Sequence, residues 1–281
     1  MTQAEGLARP SDPALVSDQA ASRLAPSGCD PLRVEVIGNA TLYLGDAIEI
    51  MERIERIDAL VTDPPYCSGA VSEAGRTAAK GQGLRSENIA KLGWFVGDNM
   101  GTAGLVALLR SVAYRAGRIM NPEGSALFFC DWRMVPNLAP AIESAGLRYQ
   151  NMVCWDKGMM GLGLGFRAQH EIILHYTFGS PKYHDLGTSN VLKVSRVSAA
   201  DREHQTQKPV ELMRQLVRVV SAPDGVVLDP FMGSGSTGLA AIAEGRRFIG
   251  IERDPVNFEV ACRRLREMTG EDAGPLFGAA A

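Results

Sequence analysis

Short runs of apolar, often β-branched residues alternate along this chain with longer stretches whose apolar positions recur at helical spacing. The short runs predict strands over residues 33–37, 59–62, 125–130, 149–155, 171–177, 226–228 and 248–251. The longer stretches predict helices over 47–54, 104–119, 135–145, 209–220, 237–244 and 255–267. Seven strands with helices between them describe an α/β fold, a doubly wound, mostly parallel sheet covered on both faces.

Four segments depart from this pattern. Residues 1–31 are dominated by Ala, Pro, Ser and Asp and are expected to form a flexible arm; 270–281 are expected to form a loose tail. Residues 67–100 and 179–204 are long excursions within the intervening 32–269 domain, and such excursions are more often functional loops than accidents.

Composition narrows the class. A chain of 281 residues buries one sizeable core, and its net charge of −3 excludes a protein coated in basic residues. Phosphate contacts need only a local patch, and residues 182–218 have such a bias through Lys193, Arg196, Arg202, Lys208 and Arg214. No apolar run approaches the ~20 residues of a membrane helix, so a cytoplasmic enzyme without membrane contact is expected. The five cysteines (Cys29, Cys67, Cys130, Cys154, Cys262) are scattered without a CxxC pair. They are expected to be reduced thiols, with no metal site.

Two strand ends carry the candidate chemistry. The run 226–228 ends in Asp229-Pro230-Phe231-Met232-Gly233-Ser234-Gly235-Ser236-Thr237-Gly238, where glycines permit a tight strand-to-helix turn and close approach of a ligand. The next strand delivers Glu252, about 20 residues on, where an acid can accept hydrogen bonds from ribose hydroxyls. A GxGxxG turn is compatible with a nicotinamide dinucleotide, but Asp229 at the strand tip would repel a pyrophosphate and suits an ammonium or sulfonium group.

The run 59–62 ends in Asp63-Pro64-Pro65-Tyr66. Two prolines fix the backbone and leave carbonyls free to accept. An acid, a carbonyl and an aromatic form a cup for a flat ligand bearing an NH2 group. The exocyclic amine of adenine or cytosine is a poor nucleophile because its lone pair is delocalised into the ring. Acceptors on its two hydrogens, Asp63 and the Pro64 carbonyl, draw it toward tetrahedral geometry, while orientation against a methyl donor supplies much of the remaining rate. Such a base must first leave the duplex.

Together these motifs resemble those of the DNA amino-methyltransferases with an Asp-Pro-Pro-Tyr signature, and their order resembles the permuted beta class. The resemblance spans roughly residues 34–268. Gly45-Asp46 resembles the pair whose acid contacts the cofactor adenine. Trp155-Asp156-Lys157-Gly158 and His170-Glu171-Ile172-Ile173-Leu174 resemble the central strands, and Thr206-Gln207-Lys208-Pro209 the segment that holds the cofactor's methionine carboxylate. The resemblance implies a Rossmann-like methyltransferase sheet, S-adenosylmethionine as donor, double-stranded DNA as substrate, no metal, and a homodimer. The implied catalytic residues are Asp63, Pro64, Pro65 and Tyr66. The implied cofactor residues are Asp46, Asp63, Lys208, Asp229, Pro230, Phe231, Gly233, Ser234, Gly235, Ser236 and Glu252. Because 179–204 is short for a target-recognition region, 67–100 is expected to share that task. The acidic first residue of the signature leans toward adenine N6.

Alternatives remain open on sequence alone: cytosine N4 in the same cup, a nicotinamide-dependent dehydrogenase, a non-catalytic DNA-binding descendant, and RNA or a protein glutamine amide as substrate. His170, Glu171 and His175 do not form a zinc-protease helix, since the histidines are five apart and the segment reads as a strand. Cys67 follows tyrosine rather than proline and is read as lining the pocket. Trp94-Phe95 is read as a loop anchor. Gly161, Gly163 and Gly165 with Phe166-Arg167 suit either a bend or a DNA-facing loop.

Overall fold

Alternation of burial fixes the first two strands. In β1 (Arg33–Ile37) and β2 (Ala40–Leu44) every second residue turns inward, so that Ile37, Ala40, Leu42 and Leu44 are buried. Gly38-Asn39 links them as an antiparallel hairpin, with Ile37 opposite Ala40. The computed structural model describes residues 31–65, 101–161, 164–196 and 207–271. By internal packing the chain divides into Met1–Asp30 and Pro31–Ala281, and the first unit lies outside the described residues.

The remaining elements are α1 (Ala47–Met51), β3 (Ile57–Thr62), α2 (Thr102–Ile119), β4 (Met120–Cys130), a 3-10 turn (Trp132–Met134), α3 (Val135–Glu143), β5 (Arg148–Asp156), β6 (His170–Thr177), β7 (Val191–Lys193), α4 (Val210–Val220), β8 (Val226–Asp229), α5 (Ser236–Ala243), β9 (Arg247–Glu252) and α6 (Pro255–Thr269). All six expected helices and all seven expected strands are present. The sheet nevertheless has nine strands among the described residues, in the order β1-β2-β9-β8-β3-β4-β6-β5-β7, which corrects the expected count of seven. The additions are β2 and β7, the latter within the supposed excursion 179–204 and paired to β5 through Cys154, Trp155 and Asp156. The Trp155 indole N–H donates to the Val194 carbonyl at 2.7 Å just past β7.

Helices cover both faces. One core joins α4, α5 and α6 to the sheet through Leu212, Leu216, Leu239, Phe258 and Leu265. The other joins α1, α2 and α3 through Ile50, Leu109, Val112, Leu138 and Ile142. Helix ends are set locally: Asp254 caps α6 by accepting from Val256 and Asn257 N–H at 2.8 and 3.0 Å, and Pro255 opens its first turn.

Strands β2, β9, β8, β3 and β4 run parallel, while β6 is antiparallel to β4 and to β5. One edge of the sheet therefore collects the carboxyl ends of β2, β9, β8, β3, β4 and β5 together with the start of β6. From β3 the chain moves on to β4 on one side; from β8 it moves to β9 on the other. The switch point lies between β3 and β8, the usual place for a ligand crevice in a doubly wound sheet.

Candidate active site

The two chemistry-bearing motifs, far apart in the chain, sit on adjacent strands at this switch point. Ala59 is opposite Val227 and Leu60 opposite Leu228, so Asp63-Pro64-Pro65 and the turn after Asp229 leave the sheet side by side. Fully buried Thr62 ties the tips together, its hydroxyl donating to Asp229 Oδ1 at 2.7 Å.

Asp229 organises the turn. Thr237 Oγ1 donates to its Oδ2 at 2.5 Å, and the Phe231 N–H to Oδ1 at 3.0 Å. Burial pushes this carboxyl up to about 6, against the pull of those donors, and the nearby Asp63 charge adds to the rise. Gly233 has φ +51° with open space where a side chain would stand. Gly235, at φ +81°, caps α5, and a Cβ there would meet Ala261 of α6 at 3.0 Å. The neighbouring Ser234 carbonyl and hydroxyl accept from buried Arg264 at 2.5 and 3.1 Å. Pro230 is buried and Phe231 half-buried beside them.

Glu252 closes the other side of the turn. Its carboxylate accepts from Gly233 N–H at 2.9 Å and from the Arg253 and Asp254 N–H groups at 2.8 and 2.7 Å. Burial raises its pKa, partly offset by those amides. Leu44 pairs with Glu252, and the Gly45 N–H donates to the Glu252 carbonyl at 2.8 Å, bringing Asp46 to the same edge. Asp46 caps α1, its Oδ1 accepting from Ile48 and Glu49 N–H at 2.9 and 3.4 Å.

At the end of β3, Asp63 pairs with Lys208, which lies just before α4 and is buried. The Lys208 ammonium also lies 3.4 Å from Glu171 Oε2, and 5.1 Å from the centre of the Phe129 ring. Glu171, at the start of β6, takes Lys157 on its other oxygen at 2.6 Å. Burial disfavours both charges in the Lys208–Glu171 pair. The carboxylates nevertheless hold the lysine above its ordinary value, and the lysines hold Glu171 below its own. A shallow apolar recess beside Pro64 and Pro65 is lined by Leu105, Leu109, Phe129 and Met134.

The structure places Asp46, Asp63, Pro64, Pro65, Lys208, the turn Asp229 to Ser236, and Glu252 at one edge of the sheet. Tyr66, Cys67, Trp94-Phe95 and Thr206 lie outside the described residues, as does the rest of 67–100. The edge also holds residues that were not anticipated as part of the site: Thr62, Thr237, Lys157 and Glu171. Of these, Thr62 carries a signal, a polar residue closing the apolar run Ala59-Leu60-Val61. The segment from His170 is a strand, as expected, and burial lowers His175 to about 4.

Comparison with known proteins agrees with this arrangement. The family model described as DNA methylase matches residues 57–263. DNA adenine methyltransferase YhdJ of Escherichia coli (strain K12) is 42% identical over 279 residues, covering 85% of this chain and 86% of that one. Type II methyltransferase M.HinfI of Haemophilus influenzae is 28% identical over 253 residues, covering 81% and 68%. Among solved structures, the M1.HpyAVI–SAM complex is 26% identical, with TM-score 0.60 over 80% of this chain and 98% of that one. The cytosine-N4-specific PvuII DNA methyltransferase, at 17% identity, shares the fold with TM-score 0.64 over 86% and 95%. With the family match covering both strand-end motifs and the sheet between them, this chain belongs to the DNA methylase family of N6/N4 amino-methyltransferases.

Proposed function

We propose that this protein transfers the methyl group of S-adenosylmethionine to the exocyclic N6 amine of a flipped adenine in double-stranded DNA. The observation that carries the reading is the adjacency of Asp63-Pro64-Pro65 and the Asp229 turn across β3 and β8. It brings an amine-holding cup and a glycine-rich ligand turn to one crevice.

The residues fit an adenosyl donor. The Ser236 hydroxyl is buried at the start of α5 without a hydrogen-bond partner, and Gly233 leaves open space in the turn. Asp46, Lys208, Glu252 and the turn from Asp229 through Pro230, Phe231, Gly233, Ser234 and Gly235 to Ser236 would hold the donor. S-adenosylmethionine supplies an electrophilic methyl on a sulfonium centre. Asp63 and the Pro64 carbonyl accept the amine hydrogens, and Asp63 also borders the cofactor. The conformation of the two prolines fixes both acceptors relative to the sheet. Tyr66 stacks on the base, returning about 1–3 kcal/mol of the few kcal/mol that flipping takes.

Adenine is favoured by the 42% identity to a protein named as a DNA adenine methyltransferase and by the acidic residue that opens the signature. A two-fold dimer suits a palindromic site, with 67–100 and 179–204 reaching the DNA. The test is to incubate the protein with DNA and isotopically methyl-labelled donor, digest the DNA to nucleosides, and identify the label by mass spectrometry. N6-methyladenine is the expected product. N4-methylcytosine would transfer the reading to cytosine, and unlabelled nucleosides would overturn it.

A further inference from the structure

Lys157, Glu171, Lys208 and Asp63 form a line of alternating charge that runs from β5 through β6 to the catalytic strand end. Its geometry is divided. Glu171 gives one oxygen to Lys157 at 2.6 Å and the other to Lys208 at 3.4 Å, while the closer contact of Lys208 is with Asp63, so Glu171 is the looser of its two carboxylates. A buried ammonium beside a single carboxylate would pair with it tightly, because low dielectric strengthens the attraction and leaves no water to compete. An Asp63 locked in this way would have little freedom to take up the hydrogens of an amine.

We propose that Glu171 is a positioning residue for the transfer: by competing with Asp63 for the Lys208 ammonium, it keeps Asp63 able to exchange that partner for the hydrogens of the incoming amine. Glu171 touches neither reactant and acts through Lys208. Among the described residues, three other ionisable groups near the line bear on this competition. Asp131, just past β4, is engaged by Arg133 at 2.9 and 2.7 Å and also feels the charge of Lys157. Burial pushes the Cys130 thiol up to about 12, so it stays neutral. Asp229 is held by Thr62 and Thr237 and faces Asp63 rather than the lysines. Lys157, resting on the Trp155 ring at 5.3 Å, holds the far oxygen of Glu171 and thereby tempers its pull on Lys208.

The turnover arm of the test rests on the proposed amine transfer; the titration arm needs no substrate. In Glu171→Gln, kcat should fall about ten- to a hundredfold, as displacement of a catalytic group does, while KM for DNA stays within about twofold. NMR of isotope-labelled lysine side chains should show Lys208 titrating at lower pH than in the parent, since one of its carboxylates is gone. In Lys157→Met, Lys208 should titrate no lower than in the parent. Glu171→Asp keeps the charge on a shorter arm, so its kcat should lie between the parent and Glu171→Gln; it also serves if Glu171→Gln does not fold. Full turnover in Glu171→Gln, an unmoved Lys208 titration, or a loss in Glu171→Asp equal to that in Glu171→Gln would overturn the proposal. A parent protein that methylates no DNA would instead refute the proposed function, and the titration would still judge Glu171.

Discussion

Replacing Asp229 by asparagine sets stability against function at the centre of the site. The carboxyl is 1% exposed, and burial raises its pKa from 3.8 to about 6. Because the folded state holds its proton more tightly, this group favours folding below pH 3.8, and that contribution is lost as pH rises through about 6. Through linkage the shift corresponds to about 3 kcal/mol of stability withheld at neutral pH. Asparagine carries no such penalty. Its carbonyl can still accept from Thr62 and the Phe231 N–H, and its amide can donate to Thr237 Oγ1, so the turn keeps its bonds. Urea unfolding of parent and Asp229→Asn at about pH 4, where the unfolded carboxyl is already partly ionised, and at about pH 7.5 should therefore show the variant's relative stability growing by about 2.4 kcal/mol toward the higher pH. Other titrating groups are common to both proteins and cancel in the difference. Calorimetry at the higher pH should show weaker binding of S-adenosylmethionine, since the negative charge that suits its cationic groups is gone. A stability difference that is the same at both pH values would refute the assignment of a strained, charged Asp229.

Other consequences follow from single contacts. Gly235→Ala should lose at least about 1–2 kcal/mol from its left-handed backbone, plus the cost of its close approach to Ala261, whose Cβ lies 3.0 Å and Cα 3.3 Å from the added methyl, as read by chemical denaturation. Glu244 bridges Arg214 and Arg218, and these guanidiniums lower its pKa from 4.5 to about 2. Glu244→Gln should therefore be less stable than the parent above pH 4.5, with the deficit disappearing as acid unfolding approaches about pH 2. Asp63→Ala should abolish methyl transfer, with cofactor binding by calorimetry weakened far less than transfer. Tyr66→Phe should retain far more activity than Tyr66→Ala in the same transfer assay, because stacking needs the ring rather than the hydroxyl.

The central strands were legible because each is a continuous apolar run ending in a polar or turn-forming residue, as in Ala59-Leu60-Val61-Thr62 before Asp63. The hairpin strand β2 is absent from the predicted strands, although Gly38-Asn39 between two alternating runs is a hairpin signal. At three residues β7 is too short for periodicity and exists through its pairing with β5. The adjacency of Asp63 and Asp229 could not be read from spacing, since strand order is settled by packing rather than by local sequence. The resemblance implied that Lys208 holds a carboxylate of the cofactor. In the structure it meets two carboxylates of its own chain, and nothing in the pattern around His170-Glu171 indicated that one would be Glu171.

The most direct test of methyl transfer at this strand junction is made in living cells. DNA from a host lacking adenine methylation, expressing either the parent protein or Asp63→Ala, would be read by single-molecule long-read sequencing. Modified adenines confined to one short motif, present with the parent and absent with the variant, are the predicted result. Identical modification profiles in the two cultures would contradict the account.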